Sequence, residues 1–238
     1  VQFASGNQGL GSSLAGYVTE GSGGVMIPEW FYSGYHLQGQ DFRVDTLLVN
    51  DMKKLGDKRL ETSVTEGYWD TTEHGFTPED SAKHYKERCM MIKYLVKDNT
   101  NKTIKAWNDY PLNFPILRPA DAYLLYAEAL INNNKASQAK EWIDAVRQRA
   151  GLSPLDHTPT MDDVMDERRY EFIGEGKRYF DLVRMGKDTF VSTLKNFSDH
   201  YEHVTKMGAN NPSEKDLLLP IPLTVMNIQA SWTNNPGY

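Results

Sequence analysis

Two glutamates four residues apart are the first candidates for chemistry in this 238-residue chain. If Glu171 and Glu175 lie on a continuous helix, their carboxyl groups could approach the separation of roughly 5 Å that retaining glycosidases use. Carboxylates that form ion pairs with nearby arginines have lowered pKa values, however, which does not suit a general acid. The pattern therefore favours a structural salt-bridge network over a hydrolase, which is kept as an alternative, and no enzymatic activity is predicted. The nearby arginines that could form this network are Arg168, Arg169, Arg178 and Arg184.

Other reactive side chains give weaker signals. His200 and His203 form an i, i+3 pair, but no third metal ligand can be assigned, so solvated surface histidines are favoured. The single cysteine, Cys89, excludes an internal disulfide framework and any multi-thiolate zinc site. It lies in an apolar run and is predicted to be buried. The sequence therefore predicts no metal and no cofactor.

Aromatic residues in glycine-rich and turn-rich sequence are the candidates for ligand binding. Flat aromatic rings can cover the C–H face of a sugar, while neighbouring polar side chains bind its hydroxyl groups. Loops held on a rigid scaffold commonly carry binding residues. Packing into a core or an interface is the alternative role for each of these side chains. The predicted carbohydrate-binding residues are Trp30, Tyr32, Tyr68 and Trp69, with Tyr17 as a weaker candidate.

Composition limits the class of protein. With 39% hydrophobic and 24% charged residues, the chain has the composition of an ordinary globular protein. The net charge is −6 and the basic residues are scattered, so a nucleic-acid footprint is not expected. No apolar stretch approaches the roughly 18 residues needed to span a membrane. Half of the 18 glycines lie in the first 40 residues, which predicts irregular backbone there.

Helical periodicity begins at Leu117. Apolar residues recur there at three- and four-residue steps, with Pro119 in the first turn and Asn132 at the end. A second helix is predicted from Ser137 as N-cap to Gly151, and the short link makes an antiparallel hairpin. Small residues permit the close approach typical of a tetratricopeptide hairpin. Because one such unit cannot bury its face alone, it packs either on loops of this chain or on repeats outside it.

Shorter elements complete the predicted organisation. A strand is predicted over residues 90–96, a third helix from a capping box at Thr160, and a further helix after Gly176. The tail from Leu217 onward is predicted to be extended. We expect one continuous domain made of a loop-rich ligand-side lobe, 1–112, and a helical scaffold with a terminal strap, 113–238.

Several segments together carry a family resemblance. They are Glu167–Phe172 (ERRYEF) followed by Glu175–Arg184 (EGKRYFDLVR), Arg118–Asp121 (RPAD) with Tyr126–Ala129 (YAEA), Leu219–Pro222 (LPIP), Asn235–Tyr238 (NPGY) and, more loosely, Asp57–Leu60 (DKRL). In this order they resemble the motifs of the SusD/RagB family. The departures are Lys58 for proline, Asp121 for glutamate and Asn234 for glutamine. The main matches fall in residues 118–238, and the first 110 residues match only loosely.

The resemblance implies a mainly α, SusD-like α/α fold with a tetratricopeptide-like helix hairpin and a loop-rich lobe. It implies a non-catalytic, lipid-anchored protein on the extracellular face of the outer membrane. Such a protein binds an oligosaccharide, needs no cofactor and delivers its ligand to a SusC-type TonB-dependent transporter. The anchor and most repeats belong to the N-terminal half of such proteins, so we expect this chain to be the C-terminal part of a longer protein. Alternatives are a non-sugar nutrient such as peptide, or a protein-interaction scaffold without a small ligand.

Overall fold

The computed structural model describes residues 44–66, 89–94, 113, 115–205, 211–229 and 231–238. These residues belong to two compact units, which divide between Gly176 and Lys177. No helix among the described residues is both long enough and apolar enough to cross a membrane. The predicted lobe boundary at residue 112 falls outside the described residues and stays a prediction.

The first unit begins with helix α1, Thr46–Leu55, and helix α2, Leu60–Ser63. Asp45 caps α1 by accepting a hydrogen bond from the Leu47 amide at 2.9 Å, and Gly56 ends it in the left-handed conformation. Strand β1, Val64–Glu66, then pairs antiparallel with β2, Cys89–Met91, so that Val64 lies opposite Met91. These elements bury a first apolar core: Val44, Leu48, Val49, Met52, Val64, Cys89, Met91, Tyr94, Tyr170 and Ile173.

Helices α3, Pro119–Asn132, and α4, Ala136–Arg149, form the predicted hairpin. Ala127 and Ala139 are completely buried, and their small size allows the two helices to approach closely, as expected. Helix α4 starts two residues earlier than predicted, with Lys135 rather than Ser137 as its N-cap. The hairpin contributes to a second core: Ala120, Leu124, Ala127, Leu130, Ala139, Ile143, Val146, Leu155, Val164 and Phe172.

Helix α5, Met161–Glu171, starts as predicted and packs on the hairpin. Its capping box is complete, because the Asp163 amide donates to the Thr160 hydroxyl and the Thr160 amide donates to the Asp163 carboxylate. The helix ends at Glu171 and is followed by a turn in which Gly174 and Gly176 have φ of +73° and +70°. Glu171 and Glu175 therefore do not share a continuous helix.

The second unit contains α6, Arg178–Arg184, and α7, Lys187–Thr205, followed by a 3-10 helix, Glu214–Leu217, and α8, Leu223–Ile228. The prediction of a wholly extended tail is therefore wrong. A second capping box, at Ser213, starts the 3-10 helix, and Pro222 precedes α8. The final residues fold back on this segment, since Nδ2 of the Asn235 side chain donates to the backbone carbonyl of Leu219 at 2.7 Å.

The strand that contains Cys89 and helix α1 both differ from what the sequence predicts. Cys89 is buried, as predicted, but β2 is shorter than the strand expected over residues 90–96. Helix α1 was not predicted, because it lies within the lobe, 1–112, that was expected to be loop-rich. Its signals are nevertheless present: an aspartate at the N-cap, a glycine at the C-cap and buried Leu48, Val49 and Met52 between them.

The turn after α5 gives a test of close packing. A Cβ atom at Gly174 would lie 2.8 Å from Cε of Met91 and 3.3 Å from the ring of Tyr94. A Cβ atom at Gly176 would meet nothing within 4 Å, although the two glycines have nearly equal positive φ values. We expect Gly176→Ala to cost about 1 kcal/mol of unfolding free energy from backbone strain alone. We expect Gly174→Ala to cost ~1–3 kcal/mol more because it also overpacks the core.

Urea unfolding of the two variants, followed by circular dichroism, measures this difference. Gly176→Ala is the matched control for the left-handed backbone. Equal losses in the two variants would show that contact with Met91 does not constrain this turn.

Candidate functional site

The residues predicted to bind carbohydrate lie outside the described residues, so their role stays a prediction: Tyr17, Trp30, Tyr32, Tyr68 and Trp69. His200 and His203 fall in α7, but their side chains are also outside the described part of the structure. Where side chains are described, no group of three or more histidine, cysteine, aspartate or glutamate residues could hold a metal ion. The remaining candidate from the sequence is therefore the glutamate pair.

Glu171 and Glu175 lie in a dense group of charged side chains within the first unit. We call this group the ionic cluster. It joins residues from the α1–α2 connection, the turn after β2, the starts or ends of three helices and the turn after α5. Its members are Asp57, Arg59, Lys93, Arg118, Arg147, Arg149, Glu167, Glu171 and Glu175.

Arg118 bridges the two glutamates. Its Nη1 donates to Oε1 of Glu171 at 2.6 Å, while its Nε and Nη2 donate to the two carboxylate oxygens of Glu175 at 2.9 and 2.7 Å. Lys93 donates to Oε1 of Glu175 at 2.5 Å and to the backbone carbonyl of Glu171 at 2.9 Å. Arg149 also donates to Oε1 of Glu171. Both carboxylates are thus surrounded by cations.

Arg59 holds the other end of the ionic cluster. Its Nε donates to both oxygens of Asp57, at 2.9 and 3.0 Å, and its Nη1 donates to Glu167 at 2.7 Å and to Glu171 at 2.9 Å. Arg147 approaches the second oxygen of Glu167 at 3.4 Å. The Arg59 guanidinium group therefore links the segment between α1 and α2 to two successive turns of α5.

The electrostatic surroundings of the glutamates differ. Burial raises the pKa of Glu171, but hydrogen bonds from Arg118 and Arg59 outweigh it, so the net pKa lies below the ordinary value. Burial dominates at Glu167 and raises its pKa despite the nearby charge of Arg59. Burial also lowers the pKa of Lys93, against its hydrogen bond to Glu175.

This arrangement suits a structural role better than acid catalysis. A general acid needs a raised pKa and access to substrate, whereas Glu171 is buried, has a lowered pKa and is hydrogen-bonded by three arginines. The predicted salt-bridge network is confirmed, but its partners are different. Three of the four arginines named from the sequence pair elsewhere: Arg168 with Asp121, Arg169 with Asp45 and Arg184 with Asp181.

Sequence reasoning missed the cations that bind the two glutamates. Arg59 and Arg118 nevertheless belong to the DKRL and RPAD motifs that carried the resemblance, and that shared membership was an available signal. Lys93 and Arg149 belong to no quoted motif. Phe172 completes the arrangement, because the guanidinium groups of Arg118 and Arg168 each lie 4.9 Å from the centre of its ring.

The ionic cluster predicts a pH-dependent stability. We expect Glu171→Gln to lower the unfolding free energy at pH 7 by ~3 kcal/mol, because three arginines lose the buried anion that they share. The folded-state pKa of Glu171 is below its ordinary value, so its contribution is present above the ordinary pKa of ~4.5 and is lost as the pH falls through the folded value. The difference between wild type and variant should therefore shrink towards pH 3.

Urea unfolding at pH 7, 5 and 3 provides the measurement. Glu141→Gln is the control, because this exposed glutamate lies on α4 outside the ionic cluster and should cost less than ~0.5 kcal/mol. A Glu171→Gln deficit that is the same at every pH would contradict the electrostatic origin assigned to it.

Comparisons with known proteins agree with the motifs. Residues 6–238 match the SusD family. The starch-binding protein SusD of Bacteroides thetaiotaomicron is 32% identical over 162 residues, which cover 67% of this chain and 28% of that protein. A SusD-like protein of Bacteroides ovatus is 38% identical over 112 residues, covering 44% of this chain and 20% of that protein.

Solved structures share the fold. A SusD superfamily protein from Parabacteroides distasonis superposes with a TM-score of 0.69 at 22% identity, covering 100% of this chain and 49% of the other. Surface glycan-binding protein A from B. thetaiotaomicron, in complex with laminarihexaose, superposes with a TM-score of 0.67 at 23% identity, covering 94% and 46%. The chain thus spans about half the length of these two structures, and the expected mainly α, SusD-like fold is confirmed. Matched along nearly its whole length, the chain belongs to the SusD family.

Proposed function

We propose that the protein binds an extracellular oligosaccharide without catalysis and delivers it to a SusC-type TonB-dependent transporter at the outer membrane. The family match over residues 6–238 carries this proposal. Among the relatives, one is named a starch-binding protein, and one protein of similar fold was solved with the glucan laminarihexaose. The proposed location is the extracellular face of the outer membrane, held by a lipid anchor on a segment outside this sequence.

Within the chain we assign two roles. The ionic cluster and the α3–α4 hairpin serve as scaffold, since the buried carboxylates of the cluster are ion-paired and the two helices pack in the second core. Ligand capture is assigned to Trp30, Tyr32, Tyr68 and Trp69, with Tyr17 as a lesser contact. Stacking of such rings on a sugar face would supply affinity, as aromatic pairs contribute about 0.5–1.5 kcal/mol beyond the area that they bury.

One observation supports the alternative of a protein-interaction scaffold. The second unit exposes several large apolar side chains along its tail, and exposed apolar surface commonly marks an interaction site. These side chains are Leu218, Leu219, Leu223, Ile228 and Trp232.

A glycan panel tests the assignment of the ligand-binding residues. We expect one polysaccharide class to bind, and we expect Trp30→Ala and Trp69→Ala each to weaken that binding about tenfold through loss of stacking. Trp232→Ala is the matched control, because it removes the same type of side chain at a position that is not among the proposed ligand-binding residues. Isothermal titration calorimetry measures the three affinities.

Each outcome of the panel has a defined meaning. Binding that is unchanged in both variants would move the ligand site away from Trp30 and Trp69. No glycan binding by any member of the panel would favour a peptide-like nutrient or the scaffold alternative.

The non-catalytic assignment has its own test. The alternative hydrolase built on Glu171 and Glu175 predicts turnover of a model glycoside that is lost in Glu175→Gln. Because Arg118 and Lys93 occupy the Glu175 carboxylate, we expect no turnover above background in the wild type. Release of nitrophenol from a panel of nitrophenyl glycosides is the measurement, and Glu175-dependent release would overturn the assignment.

A further inference from the structure

The charges of the ionic cluster are arranged in two layers. Glu171 and Glu175 have side chains that are 2% and 1% exposed, so both carboxylates face the interior. The cations bound to them are more accessible, at 60% for Arg149, 23% for Lys93 and 20% for Arg118. Solvent therefore meets positive charge at this place, although the chain as a whole carries a net charge of −6.

The three cations are contiguous. Arg149 and Arg118 donate to the same oxygen of Glu171, and Arg118 and Lys93 donate to the same oxygen of Glu175. We call the three side chains Arg149, Arg118 and Lys93 the cationic row. Among the described residues, the five cations of the ionic cluster face four carboxylates, so the cluster that contains the row has one positive charge in excess.

The cationic row also retains hydrogen-bond donors. A guanidinium group has five N–H donors, and among the described residues Arg149 uses one of them, toward Glu171. The Lys93 ammonium has three donors, of which two bond within the described part of the chain, to Glu171 and Glu175. Burial is the main cause that lowers the pKa of Lys93, and the charge of Arg118 acts in the same direction, whereas the carboxylates of Glu175 and Glu171 act to raise it.

We propose that the cationic row binds an oxyanion, namely the carboxylate or sulfate group of an acidic oligosaccharide. Planar guanidinium groups match carboxylate and sulfate oxygens in pairs, and a lysine beside them adds a point charge. This inference rests on the proposed function, because it specifies the class of oligosaccharide that the protein would bind. A neutral glycan would gain nothing from the row.

Calorimetric titrations with four probes test the proposal: trigalacturonic acid, a sulfated carrageenan tetrasaccharide, inorganic sulfate and the neutral laminarihexaose. At least one acidic oligosaccharide should bind, and its affinity should fall about tenfold or more in Arg149→Gln. Lys140→Gln is the control, since it removes one positive charge from the same helix, α4, outside the row. Affinity in the wild type should also fall with added salt.

Binding of trigalacturonic acid would indicate carboxylate recognition, and binding of the carrageenan tetrasaccharide would indicate sulfate recognition. Acidic-sugar affinity that is equal in Arg149→Gln and Lys140→Gln would overturn the proposal, as would binding of laminarihexaose alone. Binding of inorganic sulfate without either acidic sugar would overturn the assigned ligand class. Failure of the proposed function is distinguishable, because it requires that no glycan, acidic or neutral, binds.

A second measurement keeps the test independent of the variant's folding. An oxyanion placed on the row would favour the charged form of Lys93 and raise its pKa. Reductive ¹³C-methylation followed by NMR titration of the wild type, with and without the acidic probe that binds, reports this pKa. An unchanged Lys93 titration in the presence of saturating probe would place the bound anion elsewhere.

Discussion

Glu171 ends helix α5 inside the protein with a negative charge, and that charge must be matched by cations from other parts of the chain. Removing a carboxylate from water costs several kcal/mol unless cations and hydrogen bonds replace the lost hydration. Arg59, Arg118 and Arg149 meet this requirement from three separate elements. Each of those elements is thereby tied to the end of α5, so the ionic cluster determines how the first unit is assembled.

The two apolar cores lie on either side of the Glu171 carboxylate. Tyr170 packs in the core formed with α1 and the strands, and Phe172 packs in the core of the α3–α4 hairpin. Burial of apolar surface in both cores supplies the favourable free energy of folding. Buried ion pairs add little net stability by comparison, but they penalise any arrangement that leaves one partner alone. The cores thus drive the collapse, and the ionic cluster selects one mutual arrangement of the elements that carry them.

Local pattern was sufficient to predict the hairpin, because its apolar stripe, its initial proline and its small residues act over one or two turns of helix. The capping box at Thr160 was predictable for the same reason. The cations that bind Glu171 could not be predicted in this way. Arg168 and Arg169 are close to Glu171 in sequence, but they extend from α5 towards Asp121 and Asp45 instead. Helical geometry sends neighbouring side chains in different directions, so proximity in sequence is a poor guide to ion pairing. The left-handed turn at Gly174 likewise separated two glutamates that a continuous helix would have aligned.

The layering of charge in the ionic cluster has a consequence for specificity. Aromatic stacking accepts many sugars, because most pyranose rings present a face of C–H groups, and it therefore discriminates weakly between them. A fixed cationic row discriminates through charge, since a neutral sugar leaves its donors to water while an oxyanion replaces that water with charge-assisted hydrogen bonds. The row is already held in place by Glu171 and Glu175, so little conformational entropy is lost when an anion binds. The carboxylates that assemble the first unit would thus also pre-organise a surface that selects acidic ligands. The stability of the first unit and the specificity for ligand would then depend on one set of ion pairs.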